Sequence, residues 1–270
     1  MSDERRVRVQ VGEDGVAVVT LVRGEKHNAL DLAMFEQIVG AAERLRDAPD
    51  VRAVVLHGEG KSFCSGLDVV SMMSSGRLTA DQLVAREGAD GLANLPQRAA
   101  FDWIQVKAPV IVAIHGNCFG GGLQIALGGD VRIAAPDAKL SVMEIRWGLV
   151  PDMGITQTLP RLMPIDRAKE LTYTGRVISG EEAARLGLVT RVADDPLAAA
   201  LELATEIAGR SPDAVRRAKR LYEDTWVSDD RGAALLLESE LQAQLIGQPN
   251  QIAAVTAGMA DEPPVFVDPS

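Results

Sequence analysis

The sequence has few of the residue types that build covalently linked or metal-bound sites. Its 270 residues include only two cysteines and three histidines, too few for a disulfide framework or a thiolate zinc site. No apolar run approaches the ~18 residues that a membrane span requires. The polar start of the chain also lacks the apolar stretch of a secretory signal. We therefore expect a reduced, cytoplasmic protein without a membrane span or a metal.

Positive charge is also scarce. The chain carries 28 Lys and Arg against 38 Asp and Glu, which gives a formal net charge of −10. Because nucleic-acid binding needs a basic face, this balance argues against DNA or RNA as a partner. It does not exclude a small anionic ligand, for which a few local cations suffice. Apolar residues make up 47% of the chain and charged residues 24%, which is ordinary for a folded protein.

The first part of the chain has the pattern of an α/β layer. Buried strands are predicted at residues 51–57, 110–114 and 131–134, separated by helices, an order typical of parallel pairing. Residues 7–10 and 16–22 flank a turn-rich segment and predict a hairpin. A helix is predicted over 32–46 with Asp31 as its N-cap.

Beyond about residue 165 nearly every segment is predicted to be helical. The predicted helices cover residues 165–173, 180–186, 196–208, 212–225, 231–246 and 248–259. Ser179, Ser211 and Asp195 are predicted N-caps of three of them. Residues 71–90 are polar and rich in Ser, Gly and Asp, so we expect them to form a mobile wall outside the core.

Two glycine-rich turns each follow a predicted buried strand. Residues 115–122 end in three consecutive glycines that open an apolar helix, and residues 58–69 form the second turn. The exits of parallel strands meet at one edge of a sheet, where ligands usually bind. Two backbone N–H groups converging there on one oxygen would form an oxyanion hole. The simpler alternative is that both are only tight turns.

Two carboxylates are candidates for proton transfer. Glu144 lies in a largely apolar segment, where loss of solvent would raise its pKa and suit it to acid–base work. The alternative is a salt bridge to Arg146 or another neighbour. Asp152 follows eight residues later, and the alternative for it is a turn residue that bonds its own backbone. The histidines are expected to be structural, and Cys64 and Cys118 to be small buried residues.

Five stretches of the chain resemble, in order, the crotonase superfamily, also called the enoyl-CoA hydratase/isomerase family. They are residues 28–30, 63–69, 115–124, 148–161 and 171–189. The resemblance implies an α/β fold built as a spiral of ββα units, with a C-terminal helical trimerisation region. We accordingly divide the chain into a core with the site at residues 1–200 and a helical oligomerisation region at 201–270. The assembly implied is a homotrimer or a dimer of trimers.

The resemblance also implies an acyl-CoA thioester as substrate, with coenzyme A as part of that substrate and no separate cofactor. The thioester oxygen would accept hydrogen bonds from the backbone N–H groups of Leu67 and Gly121, which stabilises an enolate. The residues implied in CoA binding are Lys26, Ala29, Ser65, Gly66, Leu67, Asp68, Val69, Gly120 and Gly121. Val70 stands where many members have a Lys for the CoA phosphates, so Arg23, Lys26 or Lys61 would have to take that part.

The catalytic positions depart from the two-glutamate pattern of the hydratases. The second glutamate matches Glu144, but Gln124 stands at the first, and a neutral amide cannot accept a proton. Family members that isomerise dienoyl-CoAs have an Asp at the position of Asp152. We therefore favour an enoyl- or dienoyl-CoA isomerase with Glu144 as acid/base and Asp152 as its partner. The alternatives are a hydratase, in which Gln124 orients water, and a non-catalytic acyl-CoA-binding protein.

Overall fold

Short strands form three sheets in the computed structural model, which describes residues 5–69, 71, 85–87 and 91–269. In chain order the strands are β1 (Val7–Val11), β2 (Val16–Leu21), β3 (Ala53–Gly58), β4 (Arg86–Glu87), β5 (Ala93–Asn94), β6 (Val110–Ile114), β7 (Asn117–Phe119), β8 (Val131–Ala134), β9 (Lys139–Ser141), β10 (Ile178–Ser179) and β11 (Arg191–Val192). Val70 and most of the wall predicted at residues 71–90 lie outside the described residues.

The main sheet has the order β1-β2-β3-β6-β8-β11. Strands β1 and β2 pair antiparallel as the predicted hairpin, and every other neighbouring pair in this sheet is parallel. The α/β layer with parallel pairing is therefore confirmed. A smaller sheet, β10-β9-β7, was not predicted, since residues 117–119 lie within what the sequence indicated as a turn.

The helices follow the predicted order closely. They are α1 (Leu32–Arg46), α2 (Leu95–Phe101), α3 (Gly121–Leu127), α4 (Ile155–Thr158), α5 (Ile165–Thr174), α6 (Gly180–Arg185), α7 (Pro196–Ala208), α8 (Pro212–Thr225), α9 (Arg231–Ala243) and α10 (Pro249–Ala260). The side chains of Asp31, Ser179, Asp195 and Ser211 each accept a hydrogen bond from the backbone N–H three residues on, so the four predicted N-caps are confirmed. Helix α9 ends at Ala243, three residues before its predicted end, and residues 244–247 form turns that lead to Pro249.

The main sheet is covered on both faces. Successive residues of its strands alternate between two apolar clusters, as the period of a strand requires. Val54 faces the larger cluster with α1, whereas Val55 faces a smaller one with Ala200 and Ala204 of α7. Helix α7 thus packs on the sheet, and the predicted domain boundary at residue 200 falls inside it. The division itself stays a prediction.

The last three helices expose many apolar side chains. Trp226, Leu235, Leu236 and Met259 are each more than half exposed. Within the described residues, no helix combines the length and the apolar character that crossing a bilayer demands.

Candidate active site

The two glycine-rich turns lie side by side and parallel. Phe63 N donates to His115 O at 2.8 Å, Cys64 N to Asn117 O at 3.0 Å, and Phe119 N to Cys64 O at 3.0 Å. Both turns leave neighbouring parallel strands, β3 and β6, at the same edge of the main sheet. The sequence-based expectation that the two turns meet at one sheet edge therefore agrees with the geometry.

Gly66 of one turn packs against residues 119–121 of the other. Gly66 has a φ of +87°, and a Cβ added to it would lie 2.8 Å from Phe119 O and 3.8 Å from Gly121 N. Among the described residues, no protein acceptor takes the backbone N–H of Leu67 or of Gly121. The two N–H groups that were predicted to hold an oxyanion are thus close together and free to donate.

Residues 28–30 fix the position of the turn at residues 58–69. Leu30 N donates to Gly66 O at 2.8 Å, and Asp68 N donates to Leu30 O at 2.9 Å. The buried side chain of Asn28 donates to Ser62 O at 2.8 Å and accepts from Arg23 N at 2.8 Å. Asn28 therefore holds the turn in place from inside the protein, a role that the sequence motif alone did not indicate.

Gln124 and Glu144 are in direct contact. Gln124 Nε2 donates to Glu144 Oε1 at 2.6 Å, and Gln124 Oε1 accepts from the backbone N–H of Met153 at 2.8 Å. Gln124 is buried in α3, while Glu144 begins a short 3₁₀ turn over residues 144–147. The alternative salt bridge from Glu144 is absent among the described residues, since Oε1 is bonded to Gln124 and Oε2 has no partner there.

Burial sets the protonation behaviour of both candidate carboxylates. Loss of solvent raises the pKa of Glu144, and the negative charge of Asp152 raises it further, whereas the hydrogen bond from Gln124 opposes the shift. Asp152 is exposed at the rim, but its carboxyl group is partly enclosed by protein, which raises its pKa as well. The pair thus has the raised pKa values that suit groups exchanging protons with a weak carbon acid.

These groups surround a cavity of about 290 Å³. Its lining includes Leu67, Gly121, Glu144 and Asp152, together with Ser65, Gly66, Val69 and Gly120. The remaining lining residues are apolar: Leu30, Phe35, Pro96, Phe119, Met143, Trp147, Leu149, Val150 and Met153. The cavity can therefore hold an apolar chain with its polar end against the two turns.

The candidate CoA-binding residues fall into two groups. Ser65, Gly66, Val69 and Gly120 line the cavity, whereas Ala29 is buried beside it and Lys26 is exposed. Asp68 is committed to internal contacts: its carboxylate accepts from the Ser71 hydroxyl at 2.7 Å and pairs with Arg23 at 2.9 Å.

Two of the three proposed phosphate cations remain exposed. Arg23 is buried and pairs with Asp31 and Asp68, so its charge is already matched inside the protein. Lys26 and Lys61 are exposed. The structure therefore favours these two lysines over Arg23 as candidates for the phosphates of CoA.

The other reactive residue types have structural positions. His27 pairs with Ser62, and His57 with Thr20. Burial raises the pKa of the Cys64 thiol to about 12, so that thiol stays protonated at working pH. No group of three His, Cys, Asp or Glu within the described ranges could hold a metal ion.

Sequence reasoning missed two features of the site. The backbone N–H of Met153 fixes the Gln124 amide, and Trp147, Leu149 and Val150 form an exposed apolar rim on the cavity. A backbone N–H leaves no residue-type signal, so the sequence could not have indicated Met153. Leu149 and Val150 lie in the stretch 148–161 that resembles the family, Trp147 directly precedes it, and the apolar character of all three is visible in the sequence.

Comparison with known proteins agrees with this geometry. A family model described as enoyl-CoA hydratase/isomerase matches residues 12–261. Human mitochondrial methylglutaconyl-CoA hydratase is 32% identical over 274 residues, which cover 98% of this chain and 77% of the relative. Rat mitochondrial Delta(3,5)-Delta(2,4)-dienoyl-CoA isomerase is 36% identical over 228 residues, which cover 81% of this chain and 69% of the relative. The crystal structure of an enoyl-CoA hydratase from Bacillus anthracis superposes with a TM-score of 0.86 at 30% identity, covering 97% of this chain and 99% of that one.

Proposed function

The chain belongs to the enoyl-CoA hydratase/isomerase family of enzymes, and we propose that it moves a carbon–carbon double bond in an enoyl- or dienoyl-CoA. One observation carries the proposal: Glu144 is hydrogen-bonded at 2.6 Å to a neutral amide, Gln124, where a two-carboxylate hydratase would have a second acid. A single carboxylate can take a proton from one carbon and return it to another. Hydration needs in addition a group that activates water.

The reaction conserves every atom of the substrate. Glu144 removes a proton from C2 of a 3-enoyl thioester, and the electron pair of that C–H bond delocalises into the thioester carbonyl and the double bond. The protonated Glu144 then returns the proton to C4, which leaves the double bond between C2 and C3. In a dienoyl substrate, Asp152 would share the proton transfer at the more distant carbon. No oxidant, metal or added cofactor is required.

The developing enolate needs hydrogen-bond donors at the thioester oxygen. We assign this role to the backbone N–H groups of Leu67 and Gly121, since both border the cavity and lack a protein acceptor among the described residues. Removing one such donor typically costs about 10²- to 10³-fold in kcat. CoA would extend past Ser65, Gly66 and Val69, with Lys26 and Lys61 near its phosphates.

A second candidate is hydration of a 2-enoyl-CoA, in which Gln124 orients a water and Glu144 is the acid/base. It is favoured by the similarity to methylglutaconyl-CoA hydratase.

The described lining of the cavity carries two carboxylates and no cation. A substrate with a second, free carboxylate would therefore be repelled, and we propose an uncharged acyl chain in either case.

Proton exchange in deuterated water tests the proposal across saturated, 2-enoyl, 3-enoyl and dienoyl-CoAs. We expect wild-type enzyme to exchange α-protons and to isomerise the 3-enoyl or dienoyl substrate, and Glu144→Gln to lose at least about 10²-fold in kcat. Glu202→Gln, an exposed position on α7, is the matched control. Wild-type turnover in Glu144→Gln contradicts the role of Glu144. Hydration of a 2-enoyl-CoA faster than isomerisation favours the second candidate.

We also infer a homotrimer or a dimer of trimers. The support is the number of exposed apolar side chains from the end of α8 to α10, including Trp226, Leu235, Leu236 and Met259, because apolar side chains exposed in number are typical of subunit interfaces. Sedimentation velocity at micromolar concentration should give three or six chains. A stable monomer would contradict the inference.

A further inference from the structure

We propose that Gln124 is a positioning residue that grips one oxygen of Glu144 and keeps the proton-transferring carboxylate in a single orientation. The proposal rests on the proposed function of Glu144 as acid/base, and it assigns Gln124 a part other than orienting water. Gln124 itself is 2% exposed, which leaves its side chain little freedom to change partners.

The orientation of the Gln124 amide follows from its second partner. The backbone N–H of Met153 can only donate, so the Gln124 atom 2.8 Å from it must be the carbonyl oxygen. The NH₂ group then necessarily faces Glu144 Oε1 at 2.6 Å. Met153 thereby sets which end of the amide meets the carboxylate, and Gln124 is a fixed donor to it.

The glycines of the turn at residues 115–122 lie beside this pair. A Cβ added to Gly120, whose φ is +53°, would lie 3.4 Å from Glu144 Oε1, at ordinary contact distance. Gly121 is confined by Met153 and Leu30, whose side chains would lie within 3 Å of an added Cβ. The glycines allow the carboxylate to sit against the turn that carries a candidate oxyanion donor.

The two oxygens of Glu144 are therefore unequal. Oε1 is engaged by Gln124, whereas Oε2 is buried and has no hydrogen-bond partner among the described residues. A buried carboxylate oxygen without a partner costs free energy unless something else uses its capacity. We assign Oε2 to the substrate proton and Oε1 to anchoring.

The same contact tunes the acidity of Glu144. A hydrogen bond to the charged form favours that form, so the Gln124 amide opposes the effect of burial on the pKa of Glu144. Of the described ionisable groups, Asp152 also acts on Glu144, and its charge acts in the opposite direction. Loss of the Gln124 donor should raise the pKa of Glu144 and reduce the ionised fraction at neutral pH.

The test compares Gln124→Met, which removes the donor without adding charge, with Gln124→Glu, which keeps an acceptor for Met153 and adds a charge. We expect Gln124→Met to lower kcat by about 10²-fold, the typical cost of a misplaced catalytic group, with KM nearly unchanged. Because Glu144 acts in its ionised form, the low-pH side of the pH profile of kcat/KM, its acid limb, should move to higher pH in Gln124→Met. It should move further in Gln124→Glu, since two neighbouring carboxylates resist ionising together.

Gln37→Met is the matched structural control. Gln37 is a half-buried glutamine of α1 that does not line the cavity, and its Oε1 accepts from two backbone N–H groups, Arg6 N at 2.7 Å and Val7 N at 3.0 Å. We expect it to lower Tm without moving the acid limb.

Two outcomes would overturn the proposal, and they are distinguishable. If Glu144→Gln is inactive but both Gln124 variants keep the wild-type acid limb, the positioning role of Gln124 is wrong and the proposed function stands. If Glu144→Gln keeps wild-type turnover, the proposed function is wrong, and the assignment of Gln124 is wrong with it.

Discussion

Substitution of one glycine should separate the two turns that hold the thioester oxygen. Gly66 directly precedes the candidate donor Leu67, and the Cβ of an alanine there would be 2.8 Å from the backbone oxygen of Phe119 and 3.8 Å from the other candidate donor, Gly121 N. Ordinary contacts begin at about 3.4 Å, and neither atom is at the end of a flexible side chain. In Gly66→Ala one turn must therefore move from the other by about half an ångström.

The displacement acts on catalysis and the backbone strain acts on stability. A displacement of about 1 Å can cost ~10²-fold in rate, and a lost oxyanion donor about 10²- to 10³-fold. We therefore expect kcat to fall by between ~10- and ~10²-fold in Gly66→Ala. A positive φ on a residue other than glycine adds strain of about 1–3 kcal/mol, which lowers the free energy of unfolding.

Gly247→Ala separates these two effects. Gly247 has a φ of +79°, close to the +87° of Gly66, but an added Cβ would meet no described atom within 4 Å. The backbone strain is thus similar in the two variants, and only Gly66→Ala adds the push on the turn at residues 115–122. The assays are thermal unfolding and α-proton exchange in deuterated water, which reports enolate formation directly.

We expect both variants to lose stability and only Gly66→Ala to lose exchange. If the two variants exchange protons at the same rate, the contact between the turns does not control enolate stabilisation. In that case the assignment of Leu67 and Gly121 as joint donors would be wrong.

Two further predictions concern the carboxylates. In Asp152→Asn the acid limb of kcat/KM should move to lower pH, because the charge of Asp152 contributes to the raised pKa of Glu144; an unmoved limb in the pH profile would exclude that coupling. In Glu144→Gln the Tm relative to wild type should rise as pH increases. A carboxyl whose pKa is raised on folding stabilises the protein at low pH and loses that contribution as pH rises through its folded pKa, and the variant lacks this loss. Parallel Tm curves from pH 4 to 8 would contradict a raised pKa in Glu144.

The sequence allowed the fold to be predicted where short-range chemistry decides it. Asp31, Ser179, Asp195 and Ser211 cap helices because their side chains reach a backbone N–H three residues on, a contact that needs no distant partner. The small sheet β10-β9-β7 could not be predicted in this way. Strand β7 is three residues long, and its pairing with β9 depends on chain segments about 20 residues apart.

The site likewise has some features that the residue types indicate and others that depend on distant contacts. Glycines and an acid in an apolar segment leave a signal in the residue types, so the sequence predicts both turns and makes Glu144 a candidate acid/base. What the amide of Gln124 does could not be identified, because a glutamine can donate or accept and the sequence does not say which end faces its neighbour. The backbone N–H of Met153, 29 residues away, determines the orientation of the Gln124 amide. A neutral residue at position 124 therefore need not mean a weakened site: in this fold it can be a donor that leaves one carboxylate, held in one orientation, to move the proton.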